Sequence, residues 1–559
     1  MKRLPSLLIL VILSTLLPLS TAPRAANNAA VSAIQAPVLK WAYGGCSAGG
    51  WCQTGWYSSP AVGDIDGDHQ AEVIGAAYDI YVLNGDDGSI EWQVDSGHDL
   101  SQPDASDVGR TWPGVALGDI DGDGDLEIAT AHGGGWVAVY NAQGYFEPGW
   151  PQRPTTYELR GLALSDLDQD GTLEVIVTGG VSTDEAVEYI PNTWVFEHDG
   201  SLRPGWPQLN NTSGYDWGVF NDNLAVGNLS GDGRGELVVP SDVHYICAYD
   251  DHGTMLPAHS MYGGKAWGRV GIWESLDIEL RGWGRCNGDR AESYRTNFAH
   301  GPAVIADVNG DRNMEVIATG NVYDCAGSYD SRYTGVYIFN ADRSRFTAGG
   351  FDWQTPPVDT GAPIQENYWV IENAQSNPAV ADLDGDGQME ILFASYDGRL
   401  HAFWLDKTEH GSWPYSVYHA SEGFFRFASE PAIADLDNDG QAEVIFASWT
   451  QIESNRVGML HILSSLGDPL YELPLPAPSN DEDWNGALPA PTLANIDGDS
   501  DLEVVLNTAH SGLVAYDLPG TANARLLWST GRGSYWRDAY IPLKPFVVAE
   551  RLFMPLIQK

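Results

Sequence analysis

Short apolar segments alternate with acidic stretches along almost the whole chain. Segments such as "SPAVG", "GPAVIA" and "EPAIA" precede an acidic stretch, and "EVIGAA", "EVIVTG" and "EVIFAS" follow one. They are rich in valine and isoleucine and bounded by glycine, aspartate and asparagine, which is typical of β-strands. A third strand is predicted in "GWVAVYNAQG" and "GRLHAFWL", and a fourth in "SIEWQV" and "ARLLWST". The pattern therefore predicts four antiparallel strands in each repeat, with the acidic stretch between the first and second strands.

The acidic stretch occurs eight times, at spacings between 47 and 79 residues. A period in this range, maintained over most of a chain, indicates a closed or stacked repeat architecture. A unit of four antiparallel strands is the blade of a β-propeller. We therefore predict an all-β fold, a β-propeller of eight four-stranded blades, with seven blades as the alternative. The eight stretches begin at Asp64, Asp119, Asp166, Asn228, Asp307, Asp382, Asp435 and Asn495.

The two ends of the repeat region bear on how the ring closes. The segment "VLKWAYG" at 38–44 resembles a fourth strand but precedes the first acidic stretch. We expect it to pair with the last blade, which leaves "ARLLWST" or the tail without a place in a blade. We expect the propeller to span 38–540. The tail at 541–559 is too apolar for a free end, so we expect it to dock on the propeller.

The first residues of the chain predict export. Two basic residues precede an apolar stretch from Leu7 to Leu19, and small residues follow it. This pattern is typical of a secretory signal peptide and is too short to span a membrane. We place the signal peptide at 1–26, with cleavage between Ala22 and Ala30. No later segment reaches the roughly 18 apolar residues of a transmembrane helix, so we expect a secreted, extracellular or cell-surface protein without a membrane span.

Composition narrows the class of partner. The net charge of −47 argues against nucleic acid and anionic membranes. The 21 tryptophans, 25 tyrosines and 63 glycines fit an all-β protein with many turns. The chain has five cysteines. From the spacing of these cysteines we predict that Cys46 pairs with Cys52 and that Cys286 pairs with Cys325, while Cys247 is a buried thiol.

The acidic stretches carry the candidate chemistry. Closely spaced carboxylates repel one another unless a cation lies between them. A hard divalent cation such as calcium takes about six to eight oxygen ligands. In "DLDGDGQMEI", Asp382, Asp384 and Asp386 hold the first, third and fifth positions, the Gln388 main chain the seventh, and Glu390 the ninth. An EF-hand is excluded because its glutamate stands at the twelfth position between helices. Plain acidic hairpin turns are the alternative.

The eight copies differ in the number of carboxylates at these four side-chain positions. Five copies have four, the fifth and eighth have three, and the fourth has only Asp232 and Glu236. We expect the fourth copy to bind calcium weakly or not at all. We predict several calcium ions, up to seven or eight. The predicted metal ligands are Asp64, Asp66, Asp68, Glu72, Asp119, Asp121, Asp123, Glu127, Asp166, Asp168, Asp170, Glu174, Asp307, Asn309, Asp311, Glu315, Asp382, Asp384, Asp386, Glu390, Asp435, Asp437, Asp439, Glu443, Asn495, Asp497, Asp499 and Glu503.

The repeated pattern resembles the FG-GAP repeat of integrin α-chain propellers and, more closely, the bacterial FG-GAP-like (VCBS-type) repeat, over roughly 38–535. The resemblance implies that the Asp-x-Asp-x-Asp-Gly-x-x-Glu positions bind calcium and that the ring is an extracellular interaction platform. The chain departs from the pattern in the fourth repeat and at His69, Arg312 and Ser500, which replace the sixth-position glycine. These departures bear on calcium occupancy rather than on the fold.

We expect all acidic loops on one face of the ring, where calcium has a structural role. The opposite face carries the loops at 179–193, 320–335 and 449–457 and the long links at 259–301 and 349–377. Variable loops on a rigid scaffold often bind ligands, here an extracellular protein or a polysaccharide. Packing within these segments is the alternative role of their aromatic residues. The candidates are Trp267, Trp273, Trp283, Arg281, Arg285, Arg290, Arg295, Tyr368 and Trp369.

No catalytic residues are predicted. The sequence "GCSAG" at 45–49 matches G-x-S-x-G but lacks the strand–turn–helix context that gives this motif its meaning. His132 and His510 follow second strands and are interpreted as turn residues. The enzyme alternative is a polysaccharide-active protein, because rhamnogalacturonan lyases have a similar calcium-bearing ring; a carbohydrate-binding propeller is a further alternative. This alternative rests on analogy of fold alone.

Overall fold

The computed structural model describes most of the predicted propeller. The predicted signal peptide, Cys286, Cys325 and nearly all of the tail lie outside the described residues. The described residues are 34–46, 52–53, 57–103, 105–180, 191–209, 224–240, 244–281, 294–298, 301–324, 331–357, 364–365, 367, 370, 377–478 and 483–543.

The first half of the chain forms short strands, most of them three to seven residues long. Their side chains are largely buried valine, isoleucine, leucine and alanine, which suit strands that are covered on both faces. These strands are β1 (Val38–Tyr43), β2 (Gly45–Cys46), β3 (Cys52–Gln53), β4 (Ala61–Gly63), β5 (Glu72–Ala76), β6 (Asp79–Asn84), β7 (Ile90–Asp95), β8 (Ala116–Gly118), β9 (Glu127–Ala131), β10 (Val137–Tyr140), β11 (Leu159–Ser165), β12 (Glu174–Gly179), β13 (Thr193–Phe196), β14 (Ala225–Gly227), β15 (Glu236–Pro240) and β16 (Ile246–Tyr249).

The second half continues the same pattern after a short helical link. That link contains the 3₁₀ turns Ser260–Tyr262 and Trp267–Arg269 and the helix α1 (Leu276–Leu280), and a further 3₁₀ turn spans Ala420–Glu422. The strands are β17 (Tyr294–Asn297), β18 (Ala303–Ala306), β19 (Glu315–Asp324), β20 (Ser331–Asn340), β21 (Ala379–Ala381), β22 (Glu390–Ala394), β23 (Arg399–Phe403), β24 (Tyr415–Ser416), β25 (Arg426–Ala428), β26 (Ala432–Asp435), β27 (Glu443–Thr450), β28 (Arg456–Val457), β29 (Met459–Leu463), β30 (Pro469–Pro474), β31 (Trp484–Asn485), β32 (Thr492–Ala494), β33 (Leu502–Asn507), β34 (Leu513–Leu518) and β35 (Arg525–Trp528).

These strands form the eight blades of a β-propeller, which confirms the predicted fold class. Each blade begins with a first strand that precedes an acidic loop: β4, β8, β11, β14, β18, β21, β26 and β32. The first blade has the full antiparallel order β4-β5-β6-β7, and the sixth has β21-β22-β23-β24. Contacts between neighbouring first strands run around the ring, so these strands surround its axis.

The fourth strand is less regular than predicted in the second to fifth blades. There it makes only isolated bridges, such as Val137 with Gln152 and Thr193 with Gln208. In two of these blades a proline, Pro151 or Pro207, precedes the bridging glutamine. Proline has no N–H to donate, so a regular ladder cannot continue through it.

The ring closes as the sequence predicts. Strand β1 pairs antiparallel with β34, from Val38 opposite Asp517 to Tyr43 opposite Leu513, and so becomes the outer strand of the eighth blade. The segment "ARLLWST" is therefore not needed in that blade. Its strand β35 instead pairs with β26 in the seventh blade, on the side that faces the axis.

The chain then continues along the ring axis, and we call residues 525–541 the axial segment. Main-chain carbonyls of this segment accept N–H groups from the first strands, or the residues beside them, of five blades. The donor and acceptor pairs are Leu493 to Ser529 at 2.8 Å, Leu117 to Tyr535 at 3.0 Å, Leu164 to Trp536 at 2.7 Å, Val226 to Asp538 at 2.8 Å and Ile305 to Ala539 at 2.9 Å. The axial segment thus ties blades together from the inside.

Two buried arginines extend these contacts. Arg537 donates from Nε to the Val115 carbonyl at 2.8 Å and from Nη2 to the Pro60 carbonyl at 2.9 Å. Arg532 donates from Nη2 to the carbonyls of Leu224 and Ala303. Both side chains are 1% exposed. Because their acceptors belong to four different blades, each arginine joins blades that are not joined by strand pairing.

One predicted loop is wrong. We predicted a long loop at 320–335, but strands β19 and β20 extend through most of it, with Val322 opposite Tyr333. These β-branched and aromatic residues favour a longer hairpin.

The cysteines and the membrane prediction also bear on the fold. The backbones of Cys46 and Cys52 are paired directly opposite each other in the β2–β3 hairpin. Cys247 is buried, as predicted. Within the described part of the chain, no helix has the length and apolar character needed to cross a membrane.

Candidate metal centres

Every acidic loop connects the first strand of a blade to the second. In each loop the ninth-position glutamate starts the second strand or lies at its start, where the strand fixes its backbone. The third and fifth positions lie in the turn, and most of them are exposed. The geometry thus places one buried carboxylate beneath a group of more exposed ones in each repeat.

The ninth-position glutamate has the same contact in all eight repeats. It is at most 8% exposed. Its Oε2 accepts the backbone N–H of the second loop position at 2.7 to 3.1 Å, which closes the loop on itself. The donor and acceptor pairs are Ile65 to Glu72, Ile120 to Glu127, Leu167 to Glu174, Leu229 to Glu236, Val308 to Glu315, Leu383 to Glu390, Leu436 to Glu443 and Ile496 to Glu503.

Burial makes the charged form of these glutamates unfavourable in the absence of a cation. Loss of solvation is the largest cause of the shift in each case, and the neighbouring aspartates add to it in most repeats. It raises the pKa to about 8 for Glu72, Glu127, Glu174, Glu315 and Glu503, to about 9 for Glu390 and to about 7 for Glu443, and raises the pKa of Glu236 above its ordinary value.

Five repeats bring carboxylate oxygens close enough to share one metal ion. In each, one oxygen from the first, third and ninth positions lies within 4.8 Å of the others. These groups are Asp64, Asp66 and Glu72; Asp119, Asp121 and Glu127; Asp166, Asp168 and Glu174; Asp382, Asp384 and Glu390; and Asp435, Asp437 and Glu443.

Several of these oxygens are buried without a hydrogen-bond donor. Among the described residues, none donates to Oε1 of Glu390, Oδ1 of Asp119 or Oδ1 of Asp437. A buried acceptor without a donor is costly, and a buried carboxylate oxygen more so. The donor set is composed of oxygen atoms, which fits a hard divalent cation.

Backbone conformation gives seven of the loops a common shape. In the first seven repeats the fourth and sixth positions have φ between 58° and 100°, the left-handed region. His69 and Arg312 adopt this conformation although they replace glycine, at φ 71° and 72°. In the eighth repeat, neither Gly498 nor Ser500 has a positive φ. The sixth loop position therefore keeps the left-handed conformation where His69 and Arg312 replace glycine, but not where Ser500 does.

Adjacent loops are joined to one another. In four places the N–H of the eighth loop position donates to the second-position carbonyl of the preceding loop. The pairs are Leu173 to Ile120 at 2.9 Å, Gly235 to Leu167 at 3.0 Å, Met389 to Val308 at 2.9 Å and Ala442 to Leu383 at 2.9 Å. These contacts join the second to fourth loops in one run and the fifth to seventh loops in another. We call the eight acidic loops, which lie on one face of the ring, the belt.

Two loops already contain a cationic side chain. In the third repeat, Arg203 lies 2.9 Å from Asp168 and 3.2 Å from Glu174. In the eighth repeat, Lys40 donates to Asp497. Both cations come from outside the acidic stretch, so the motif spacing does not reveal them.

The aromatic residues nominated for ligand binding are mostly part of the core. Trp267 and Trp273 are 0% exposed, so the alternative of packing within the segment holds for both. Arg281 forms an ion pair with Asp277. Trp283, Arg285, Arg290, Tyr368 and Trp369 lie outside the described residues, as does the side chain of Arg295.

The two histidines are held inside the protein. His132 is 0% exposed and lies between the hydroxyls of Thr111 and Thr130, at 3.0 and 2.8 Å. Burial lowers its pKa to about 3. His510 is also buried, and loss of solvation lowers its pKa to about 4. Both remain neutral at physiological pH, which fits structural roles.

The face opposite the belt carries a cluster that the sequence analysis missed. The guanidinium carbons of Arg110 and Arg160 lie 3.8 and 3.6 Å from the ring centroid of Trp112. The Tyr57 ring packs against the same indole at 4.3 Å between centroids, with an interplanar angle of 32°. The four residues come from three separate segments, and no local pattern predicts that they meet.

Comparison with known families identifies one segment directly. The family described as FG-GAP-like repeat matches residues 382–446. This segment is similar to an FG-GAP-like repeat. It begins with the sixth acidic loop, includes the seventh, and ends within β27. The match confirms the family that the acidic motif predicts. No curated protein matches the chain.

Solved structures similar to this chain include two rhamnogalacturonan lyases. The exotype lyase YesX is 16% identical over 87% of this chain and 76% of its own, with a TM-score of 0.47. The lyase YesW is 15% identical over 86% and 75%, with a TM-score of 0.45. Sqt1 of Saccharomyces cerevisiae is 10% identical over 87% and 99%, with a TM-score of 0.47. The activity named for the two lyases belongs to those proteins.

Proposed function

We propose that this protein is an exported β-propeller in which calcium ions bound to the acidic loops stabilise a platform for an extracellular ligand. The sixth loop carries the proposal. Glu390 is 0% exposed, one of its oxygens is held by the Leu383 N–H, and the other has no donor among the residues that the structure describes. Asp382 and Asp384 place oxygens within 4.8 Å of it.

The chemistry of the loops favours calcium over other metals. Zinc prefers sulfur and nitrogen ligands, and none stands at the four side-chain positions of any loop. Magnesium requires near-octahedral geometry and retains water, whereas calcium accepts a flexible shell of carboxylate and carbonyl oxygens. The proposed ligands are the carboxylates of the loop, completed by a main-chain carbonyl at the seventh position.

Calcium has a structural role in this proposal. The ion neutralises carboxylates that otherwise repel, and it supplies the missing partner of the buried glutamate. Binding to the folded state alone stabilises that state by mass action. Because neighbouring loops are joined within these two runs, the effect of one ion extends to the adjacent loops.

Export is supported by the first residues of the chain, which have the pattern of a secretory signal peptide. Calcium sites of extracellular modules commonly have dissociation constants of about 10⁻⁴ to 10⁻³ M. Exposed, partly hydrated loops suit affinities of that order.

The binding platform is the face opposite the belt. The cluster of Tyr57, Arg110, Trp112 and Arg160 places two half-buried guanidiniums and the half-buried Tyr57 ring there, around an indole that is 6% exposed. Such surfaces bind anionic or sugar-containing ligands and protein surfaces. The proposed ligand is an extracellular protein or a polysaccharide.

Thermal unfolding in calcium, magnesium or chelator tests the metal proposal. Calcium should raise the melting temperature well above the value in chelator, and magnesium should do so less. Equal melting temperatures in all three would contradict the proposal. For the platform, a glycan array and a pull-down from extracellular protein should yield a ligand whose binding falls in the Arg110→Ala and Arg160→Ala variants. Cleavage of an arrayed polysaccharide would instead identify an enzyme.

A further inference from the structure

The third acidic loop is filled by an arginine of the same blade. Arg203 is 6% exposed. Its Nη2 lies 2.9 Å from Oδ2 of Asp168, and its Nη1 lies 3.2 Å from Oε1 of Glu174. These two oxygens belong to the third and ninth positions, which are metal ligands in the proposed sites. The contact to Glu174 is an ion pair without a hydrogen bond, since Oε1 of Glu174 and Oδ1 of Asp168 have no hydrogen-bond donor among the described residues. The guanidinium lies beside both ligand positions, and its charge opposes the binding of a metal ion there.

Other contacts hold this arginine in place. Its Nη1 lies 3.2 Å from Glu197, its Nη2 lies 3.7 Å from Asp251, and its Nε donates to the Asp251 carbonyl at 3.1 Å. A side chain with this many fixed contacts does not leave the loop readily.

The eighth loop contains a lysine from the closing strand. Lys40, in β1, donates to Asp497 at the third loop position. This loop differs from the other seven in backbone conformation, because its fourth and sixth positions lack the positive φ. Its first position is Asn495, whose Nδ2 donates to the Asp499 carbonyl.

The second and sixth loops provide the contrast. In the part of the chain that the structure describes, no arginine or lysine forms an ion pair with their acidic side chains. In the seventh loop, Arg525 approaches Asp435 at 3.4 Å, but its side chain is 55% exposed and can move into solvent. A side-chain cation from outside the motif, Arg203 or Lys40, thus lies against the third-position aspartate in the third and eighth loops.

We propose that Arg203 and Lys40 are built-in cations that replace calcium in the third and eighth loops, so that calcium binds only in the other acidic loops. This inference rests on the proposed calcium-binding function. It divides the acidic loops into those that bind calcium and those that contain a cation of the protein. The acidic loops of the third and eighth blades are then neutralised by side chains of the protein. The eighth blade is also the one that the N-terminal strand β1 completes.

A matched pair of variants tests the division. Asp168→Asn and Asp384→Asn change the same loop position in the third and sixth repeats. Bound calcium is counted on the full-length protein by native mass spectrometry and by titration. We expect Asp384→Asn to lose one calcium ion and Asp168→Asn to lose none. Loss of one ion in both variants would overturn the inference while leaving the proposed function intact.

The reverse change should create a site. Arg203→Met leaves Asp166, Asp168 and Glu174 without their cation, and we expect it to gain one calcium ion. Lys40→Met should gain one in the eighth loop and provides a second test if the first variant folds poorly. Failure of both folded variants to gain an ion would overturn the inference. A wild-type protein without calcium would refute the proposed function, and a gain in Arg203→Met would then still support the built-in cation.

Discussion

The axial segment and the acidic belt hold the same first strands in two different ways. In the axial segment the cations are part of the chain, and Arg532 and Arg537 donate to carbonyls of four blades. In the belt the charged groups are carboxylates, and the buried Glu390 retains an oxygen without a donor among the described residues. The first device is complete when the chain folds, whereas the second, in the calcium proposal, is completed by an ion from solution. The axial segment thus stabilises the ring without any ligand. In the calcium proposal, the stability that the belt contributes depends on the calcium concentration.

Removing the axial segment should have the largest effect. A chain that ends at Pro519 lacks β35, both arginines and the main-chain acceptors for five blades. Each lost hydrogen bond is worth about 1 kcal/mol, and a buried donor left unpaired costs about 1 to 3 kcal/mol. The sum is comparable to the roughly 5 to 15 kcal/mol that stabilises a typical domain. We expect no cooperative unfolding transition in circular dichroism, with or without calcium.

A chain that ends at Leu543 is the control for this truncation. It retains the whole axial segment and lacks only residues outside the described part of the chain. It should unfold cooperatively. A cooperative transition in the shorter chain, at a temperature near that of the control, would show that the axial segment does not tie the blades together.

Chelation should have the second largest effect. A ligand at a concentration about 100 times its dissociation constant stabilises the folded state by about 2.7 kcal/mol per site. Several sites together should raise the melting temperature by many degrees at millimolar calcium. The chelated protein should still fold, because the axial segment needs no ion. Calorimetry with and without chelator measures both parts of this expectation.

Removing a single buried charge should have a smaller effect, and its sign should depend on calcium. Glu390→Gln keeps an acceptor for the Leu383 N–H but removes the charge. In calcium we expect a loss of about 1 to 3 kcal/mol, the scale of an unmade contact to a charged group. In chelator the variant should be at least as stable as the wild type, because no charge is buried. Destabilisation of equal size in both conditions would argue against a metal ligand at Glu390.

The pH dependence of the calcium-free protein should be the smallest effect. Burial raises the pKa of Glu72 from 4.5 to about 8 in the folded state. A carboxyl with a raised pKa holds its proton in the folded state, so its contribution to stability is complete below about pH 4.5 and is lost as the pH rises through about 8. The melting temperature in chelator should therefore fall across this window. In calcium the same scan should be flatter, and equal slopes in both would contradict the assignment.

The sequence predicts the belt far better than the axial segment, for a physical reason. The acidic stretch occurs eight times, and the acidic residues stand at the same positions within it in most copies. The repeated pattern is therefore visible in the sequence. The closing strand is also predictable, because "VLKWAYG" resembles a fourth strand that has no blade of its own. The axial segment occurs once, and its arginines donate to main-chain carbonyls, which carry no sequence signature.

Long-range contacts explain the remaining gaps. Arg203 and Lys40 enter their loops from other strands or segments, so the spacing of aspartates around Asp168 and Asp497 looks the same with or without them. Trp267 and Trp273 stand in a long polar link that suggests exposure, yet the packing of that link against the propeller buries both. The sequence pattern predicted the acidic loops. The contacts of Arg203 and Lys40 with two of these loops are visible only in the folded structure.

Elemental analysis of the native protein, purified without chelator and not dialysed, tests the central claim most directly. The calcium proposal predicts that each folded chain retains several calcium ions. Native protein that contains no calcium would contradict the account.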